Sequence, residues 1–186
     1  MITGASSGIG LATAQAFARR DANVVLAARR RELLERAGQD CEGLGGRSLV
    51  VPTDVTDPAQ TRELARLADS TFGGIDVWVN NAGTSMWGPF EDIPLESQAR
   101  LFELNLLGAI YGSHAALPHF FDRERRGVII NVSSILGRVP MPRAASYSAS
   151  KAGLAGFTEA LRFELAAHSN IEVCGVYPAY VDTPPT

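Results

Sequence analysis

The sequence predicts an α/β fold, a doubly wound parallel sheet of six strands in the order 3-2-1-4-5-6. Two patterns carry that prediction. Short apolar, β-branched runs alternate with longer segments of helical period along the whole chain. The runs are also apolar throughout rather than on alternate residues, as strands covered by helices on both faces must be. Right-handed crossovers then select the doubly wound order. In such a sheet ligands bind beyond the carboxyl ends of the strands, so each strand-to-helix loop is a place to look for chemistry.

In chain order, Met1-Ile2-Thr3 reads as the last residues of the first strand. The other strands are Asn23–Ala28 (NVVLAA), Arg47–Val51 (RSLVV), Ile75–Val79 (IDVWV), Val128–Val132 (VIINV) and Ile171–Val176 (IEVCGV). Helices are predicted near 8–20, 30–42, 57–72, 96–121 and 146–168. Thr56-Asp57-Pro58 opens the third helix with a cap and a proline in the first turn. No repeat, low-complexity segment or linker interrupts the pattern, so the 186 residues read as one domain.

Composition narrows the function. An apolar fraction of 46% with 20% charged residues suits a globular protein with a sizeable core. The net charge of −3 leaves no footprint for nucleic acid or an anionic membrane. The basic runs Arg29-Arg30-Arg31 and Arg123-Glu124-Arg125-Arg126 are short and local. No stretch approaches the ~20 apolar residues that span a bilayer, and glycine and serine begin too early for a signal peptide. Cys41 and Cys174 lie far apart, in no metal-ligand spacing. The expectation is a cytoplasmic protein without disulfides or a metal site.

The opening TGASSGIG, Thr3 to Gly10, has two readings. Gly4–Gly8 matches the G-x-S-x-G elbow that presents a nucleophilic serine. Thr3–Gly10 also forms a glycine-rich turn whose amides and helix N-terminus could cradle a pyrophosphate. The elbow needs an oxyanion-hole amide from an earlier loop, and only three residues precede Gly4. His114, His119 and His168 all fall in predicted helices rather than on strand-end loops. The phosphate reading has company: Asn80-Asn81-Ala82-Gly83 after the fourth strand, Ser133-Ser134 after the fifth, and Tyr147-Ser148-Ala149-Ser150-Lys151 opening a helix.

At these residues the sequence strongly resembles the short-chain dehydrogenase/reductase family, in its compact single-domain branch with a Rossmann fold. The matching segments are TGASSGIG (3–10), DV (54–55), NNAG (80–83), Asn105, NVSS (131–134), YSASK (147–151) and YPAYVDT (177–183), in the family's order. The resemblance implies an oxidoreductase that moves a hydride between a nicotinamide dinucleotide and a carbonyl or secondary alcohol.

Tyr147 and Lys151 stand four apart and so share a helical face. A tyrosine exchanges protons poorly near neutrality, with a reference pKa of about 10, and a neighbouring ammonium favours its phenolate. The resemblance implies that Tyr147 is the general acid and base, that Ser134 hydrogen-bonds the substrate oxygen, and that Lys151 holds the nicotinamide ribose and tunes Tyr147. Asn105 matches the member that anchors a water in the proton relay. Ser133 is the neighbouring alternative to Ser134. SASK (148–151) also fits the S-x-x-K pattern of penicillin-interacting enzymes, but no S-D-N or K-T-G accompanies it.

The cofactor prediction rests on the end of the second strand. An acidic residue there would take the ribose hydroxyls of NAD. Here Ala28 is followed by Arg29 and Arg30, cations that oppose the dipole of the next helix but suit a 2′-phosphate. NADP(H) is expected, with NAD(H) as the alternative. By resemblance the cofactor is also met by Thr3, Gly4, Ser6, Ser7, Gly8, Ile9 and Gly10 at the pyrophosphate, and by Asp54 and Val55 at the adenine. Asn81 braces the central strand and Ala82 and Gly83 allow close approach, while Pro178, Val181 and Thr183 lie along the nicotinamide.

Three departures stand out. The family's Pro-Gly after the sixth strand reads Pro178-Ala179, which would strain the loop if that position needs positive φ. The first strand is nearly missing, and the chain stops at Thr186, where relatives add a substrate-covering segment, a helix and a seventh strand. The chain is therefore expected to be truncated at both ends, one binding and catalytic domain over 1–186 without its usual cover. Met86, Trp87, Val139, Met141 and Pro142 are expected to border an apolar substrate pocket. Small residues on the helices at 96–121 and 146–168 would permit packing into a homo-oligomer. The alternative to an enzyme is a non-catalytic dinucleotide-binding protein or sensor that keeps the fold.

Overall fold

The computed structural model describes residues 1–121 and 126–182. Its elements run β1 (Ile2–Thr3), α1 (Gly8–Ala18), β2 (Val24–Ala28), α2 (Arg31–Gly43), β3 (Ser48–Pro52), α3 (Pro58–Phe72) and β4 (Val77–Asn80), then α4 (Leu95–Phe102), α5 (Gly108–Phe121), β5 (Gly127–Val132), α6 (Ala145–Glu164) and β6 (Ile171–Val176). All strand pairs are parallel, in the order β3-β2-β1-β4-β5-β6. This is the doubly wound, Rossmann-type sheet that the alternating pattern predicts.

β2 shows why its residues are apolar without a break. Val24 and Leu26 enter a core with α1 and α2, around Ala14, Ala18, Leu34 and Ala37. Val25 and Ala27 point the other way, into a core with α3, α5 and α6 that holds Leu64, Ala116, Phe120 and Leu161. Alternating side chains thus fill two cores, one on each face. β1 is short but central. Ile2 pairs with Leu26 on one side and with Val79 on the other, and is 2% exposed.

Local signals placed the other boundaries. Asp57 caps α3 by accepting from the Ala59 amide at 2.8 Å, with Pro58 in the first turn. The helix expected over 96–121 is interrupted. A π-helical turn, Glu103–Leu107, separates α4 from α5 and has Asn105 at its centre. α6 ends at Glu164 rather than His168. Among the described residues, no helix is long and apolar enough to cross a membrane, and no cluster of His, Cys, Asp or Glu could hold a metal ion.

Candidate active site

The carboxyl ends of the strands open into a cavity of about 780 Å³. Gly4, Ser6, Ser7, Gly8 and Ile9 form its floor, Arg29, Arg30, Asp54 and Val55 one end, and Asn81, Ala82, Gly83, Ser134, Tyr147, Lys151, Pro178 and Val181 the rest. The parallel sheet therefore gathers most of the expected site residues into one hollow. Thr183 lies outside the described residues.

The floor is made of backbone. Ser7 at the N-cap of α1 makes no side-chain cap bond, and the first turn contains no acid, so amides and dipole remain available to an anion. Gly4 has φ +64°, and a Cβ there would lie 2.9 Å from Ala82 Cα. A Cβ on Gly10 would fall 2.3 Å from the Gly4 carbonyl oxygen and 2.5 Å from Asn81 Nδ2. Asn81 Nδ2 donates to the carbonyls of Thr3 at 3.0 Å and Gly4 at 3.3 Å. Thr3 and Gly10 do not line the cavity. Thr3 Oγ1 accepts from the amides of Asn81 and Ala82, at 3.0 and 3.1 Å, tying β1 to the loop after β4.

At the far end Arg29 and Arg30 are exposed. Asp54 accepts from the Thr56 amide and hydroxyl, at 3.0 and 2.7 Å, and Arg100 of α4 approaches it at 3.5 Å. Partial burial pushes the Asp54 carboxyl upward, but the Thr56 bonds with the Arg100 and Arg29 charges outweigh it and hold it below its ordinary value. Sequence spacing gave no hint of Arg100, which is distant in the chain and belongs to no motif.

The corner that holds Ser134, Tyr147 and Lys151 is built from side chains. Lys151 is 5% exposed and donates to the Val132 carbonyl at 3.0 Å. Burial lowers its pKa to about 8. Ser133 Oγ donates to the Lys151 carbonyl at 2.8 Å, which commits its proton to the fold. Ser134 Oγ accepts from the Leu136 amide at 3.1 Å, an arrangement that leaves its own proton available to the cavity. Of the two serines, Ser134 is the one placed to donate.

Asn105 is 1% exposed and does not line the cavity. Its Oδ1 accepts from the Thr84 amide at 2.9 Å, and its Nδ2 donates to the Thr84 carbonyl at 2.9 Å and to Ser150 Oγ at 3.1 Å. The side-chain amide expected to anchor a water is thus engaged with Thr84 and Ser150. These bonds are made from the centre of the π-helical turn, a distortion that clusters at functional sites.

Ala179 carries no strain. Among the described non-glycine residues only Asp21 and Arg143 have positive φ. Trp87 and Met141 reach the cavity wall, whereas Met86, Val139 and Pro142 do not. Thr84, Leu104, Leu136 and Tyr180 also line it. Thr84, Leu104 and Leu136 belong to no motif, and Tyr180, inside YPAYVDT, was not singled out. Apart from Lys151, the charged side chains on the wall are Arg29, Arg30 and Asp54, at the far end.

The family model for short chain dehydrogenases matches residues 1–186. A 3beta-hydroxysteroid dehydrogenase of Eggerthella lenta is 37% identical over 99% of this chain and 70% of its own length. A cis-4-hydroxycyclohexanecarboxylate dehydrogenase of Sinomonas cyclohexanicum is 42% identical over 99% of this chain and 73% of its own. A solved short chain dehydrogenase/reductase of Burkholderia phymatum, in complex with NAD, superposes with a TM-score of 0.94 at 31% identity. That match covers 98% of this chain and 65% of the other. The chain spans 52% of one curated relative and 78% of another.

Proposed function

The chain belongs to the short-chain dehydrogenase family of oxidoreductases, and from that premise we propose that it uses NADP(H) to interconvert a carbonyl and a secondary alcohol, with Tyr147 as general acid and base. The observation that carries this reading is the single cavity joining an open helix N-terminus to Ser134, Tyr147 and Lys151. Its fit to a dinucleotide is supported by Gly4 and Gly10, where added carbons would collide with the turn. Ser6, Ser7, Gly8 and Ile9 would hold the pyrophosphate, Asp54 and Val55 the adenine, and Ala82, Gly83, Pro178 and Val181 the nicotinamide half. Bound NADP(H) supplies or accepts the hydride.

The chain's own groups supply the rest. In reduction the Tyr147 hydroxyl gives its proton to the carbonyl oxygen, and in oxidation the phenolate takes one back. Ser134 donates to the same oxygen and stabilises the negative charge that gathers there. Lys151, desolvated beside them, presents an ammonium that favours the phenolate. Asn105 and Asn81 keep the loops in register. Arg29 and Arg30 would hold a 2′-phosphate and so favour NADP(H), since guanidinium groups can pair a phosphate bidentately.

The apolar wall of Trp87, Leu136, Met141 and Val181 suits an uncharged, apolar substrate. The names of the Eggerthella and Sinomonas relatives support a ring-borne secondary alcohol. Free Cys41 and Cys174 support a reducing, cytoplasmic setting, and exposed Phe121 and Phe163 on α5 and α6 support a homo-oligomer. The test is NADPH and NADH consumption with cyclohexanone, a 3-ketosteroid and benzaldehyde, beside a direct binding titration of each cofactor. Turnover with preference for NADPH is expected. Binding without turnover on any ketone identifies a non-catalytic dinucleotide-binding protein instead.

A further inference from the structure

The first turn of α6 carries Tyr147 yet lacks the device that commonly holds a helix start. Its N-cap is Ala144, which makes no side-chain bond to the open amides. Two serines anchor the turn in another way, through bonds to neighbouring side chains. Ser146 and Ser150 stand four apart on one helical face, offset by one residue from the face of Tyr147 and Lys151.

Ser146 Oγ donates to Gln98 Oε1 of α4 at 2.6 Å, and Gln98 Nε2 donates to the Ile93 carbonyl at 2.9 Å. Ser150 Oγ accepts from Asn105 Nδ2 at 3.1 Å and donates to the Tyr147 carbonyl at 2.8 Å. Ser146 and Gln98 are each 8% exposed, and Ser150 is fully buried. Hydrogen bonds shielded from water in this way are strong and directional. Burial alone does not produce them. Ser148 lies between the two, is 4% exposed, and its hydroxyl has no partner.

We propose that Ser146 and Ser150 are positioning residues that pin the Tyr147 turn of α6 to α4 and the π-helical turn. One clamp lies on each side of the tyrosine along the helix. The proposal rests on the reading of Tyr147 as the proton-transfer group. Its physical content is that displacements of an ångström at such a group cost up to ~100-fold in rate.

Steady-state reduction of cyclohexanone by NADPH, with a separate NADPH titration, tests it on Ser146→Ala, Ser150→Ala, Gln98→Ala and the Ser146→Ala/Gln98→Ala double variant. Ser148→Ala, a buried serine without a bond to lose, is the matched control. The clamp variants are expected to lose about tenfold in kcat while NADPH affinity stays within about twofold. The double variant should be no worse than Gln98→Ala, because Ser146→Ala removes a bond that Gln98→Ala has already removed. Ser148→Ala should match the parent. Clamp variants whose kcat equals that of Ser148→Ala overturn the proposal, as does parallel loss of kcat and NADPH binding, which marks general disruption. A parent that binds NADPH but reduces no ketone overturns the oxidoreductase reading instead, a result recognisable before any variant is made.

Discussion

The two ends of the cavity are built on opposite principles. At one end Lys151 and Ser134 are buried and hydrogen-bonded to fixed partners, with Asn105 buried behind the wall. At the other end Arg29 and Arg30 stand in solvent on long side chains. The first end loses little entropy when it acts, since its groups are already held. The second must order long side chains on binding, and its charges are screened by salt. In the proposed function the buried corner sets the rate and the arginine end the cofactor preference.

The sharpest way to break this contrast is to disturb the backbone floor that joins the two ends. Gly10→Ala places a carbon 2.3 Å from the Gly4 carbonyl oxygen, and the turn and Asn81 must both shift. A loss of about 3 kcal/mol in urea unfolding is expected, together with loss of NADPH binding. Unchanged stability would mean that the turn is far softer than its contacts imply.

Next is the pH dependence of the cofactor-free protein. Burial holds Lys151 at about 8 instead of its ordinary 10.5. Between those values the unfolded chain binds more protons than the folded one, so stability rises with pH across that window. The desolvation penalty is fully present below pH 8 and fades above it. Lys151→Met should flatten the rise, by roughly 3 kcal/mol at most. Urea midpoints of parent and variant at several pH values across the window make the comparison, and an equal rise in both would place the titration elsewhere.

At the arginine end, Arg29→Ala should weaken NADPH binding about tenfold, or ~1.4 kcal/mol, and leave NADH binding within about twofold. The loss should shrink as salt is raised. Equal weakening of both cofactors would remove the 2′-phosphate from the account.

The smallest effect lies away from both ends. Gly156 of α6 has nothing within 4 Å of where a Cβ would sit. Gly156→Ala should raise stability by about 0.5–1 kcal/mol through helix propensity alone, without changing kcat. Thermal denaturation beside an NADPH assay checks both parts.

The same contrast marks what the sequence made legible. Strands and helices could be read because their apolar residues are uninterrupted or periodic over short windows, as in Val24–Ala28. Tyr147, Lys151 and Ser134 could be singled out as candidates because the proposed chemistry needs those residue types at fixed spacings, and the fold brings them to one cavity. The π-helical turn could not, because one inserted residue barely alters the apolar period, and Thr84, which Asn105 holds from that turn, is 21 positions away. The crowding at Gly10 was not legible, because it comes from Gly4 and from Asn81, which is distant in the chain. Arg100 meets Asp54 from a separate helix, and Ser146 meets Gln98 48 positions away. What pattern reading missed was consistently a partner brought in by the sheet's topology.

The central claim is that Tyr147 passes the proton that completes carbonyl reduction. It is tested most directly by measuring alcohol formed from cyclohexanone per NADPH consumed, in the parent and in Tyr147→Phe. The phenyl ring keeps the shape of the site and removes only the hydroxyl. The parent should give one alcohol per NADPH, and the variant should bind NADPH within about twofold while its rate falls by about 1,000-fold. Alcohol formation by Tyr147→Phe at the parent's rate would contradict the account.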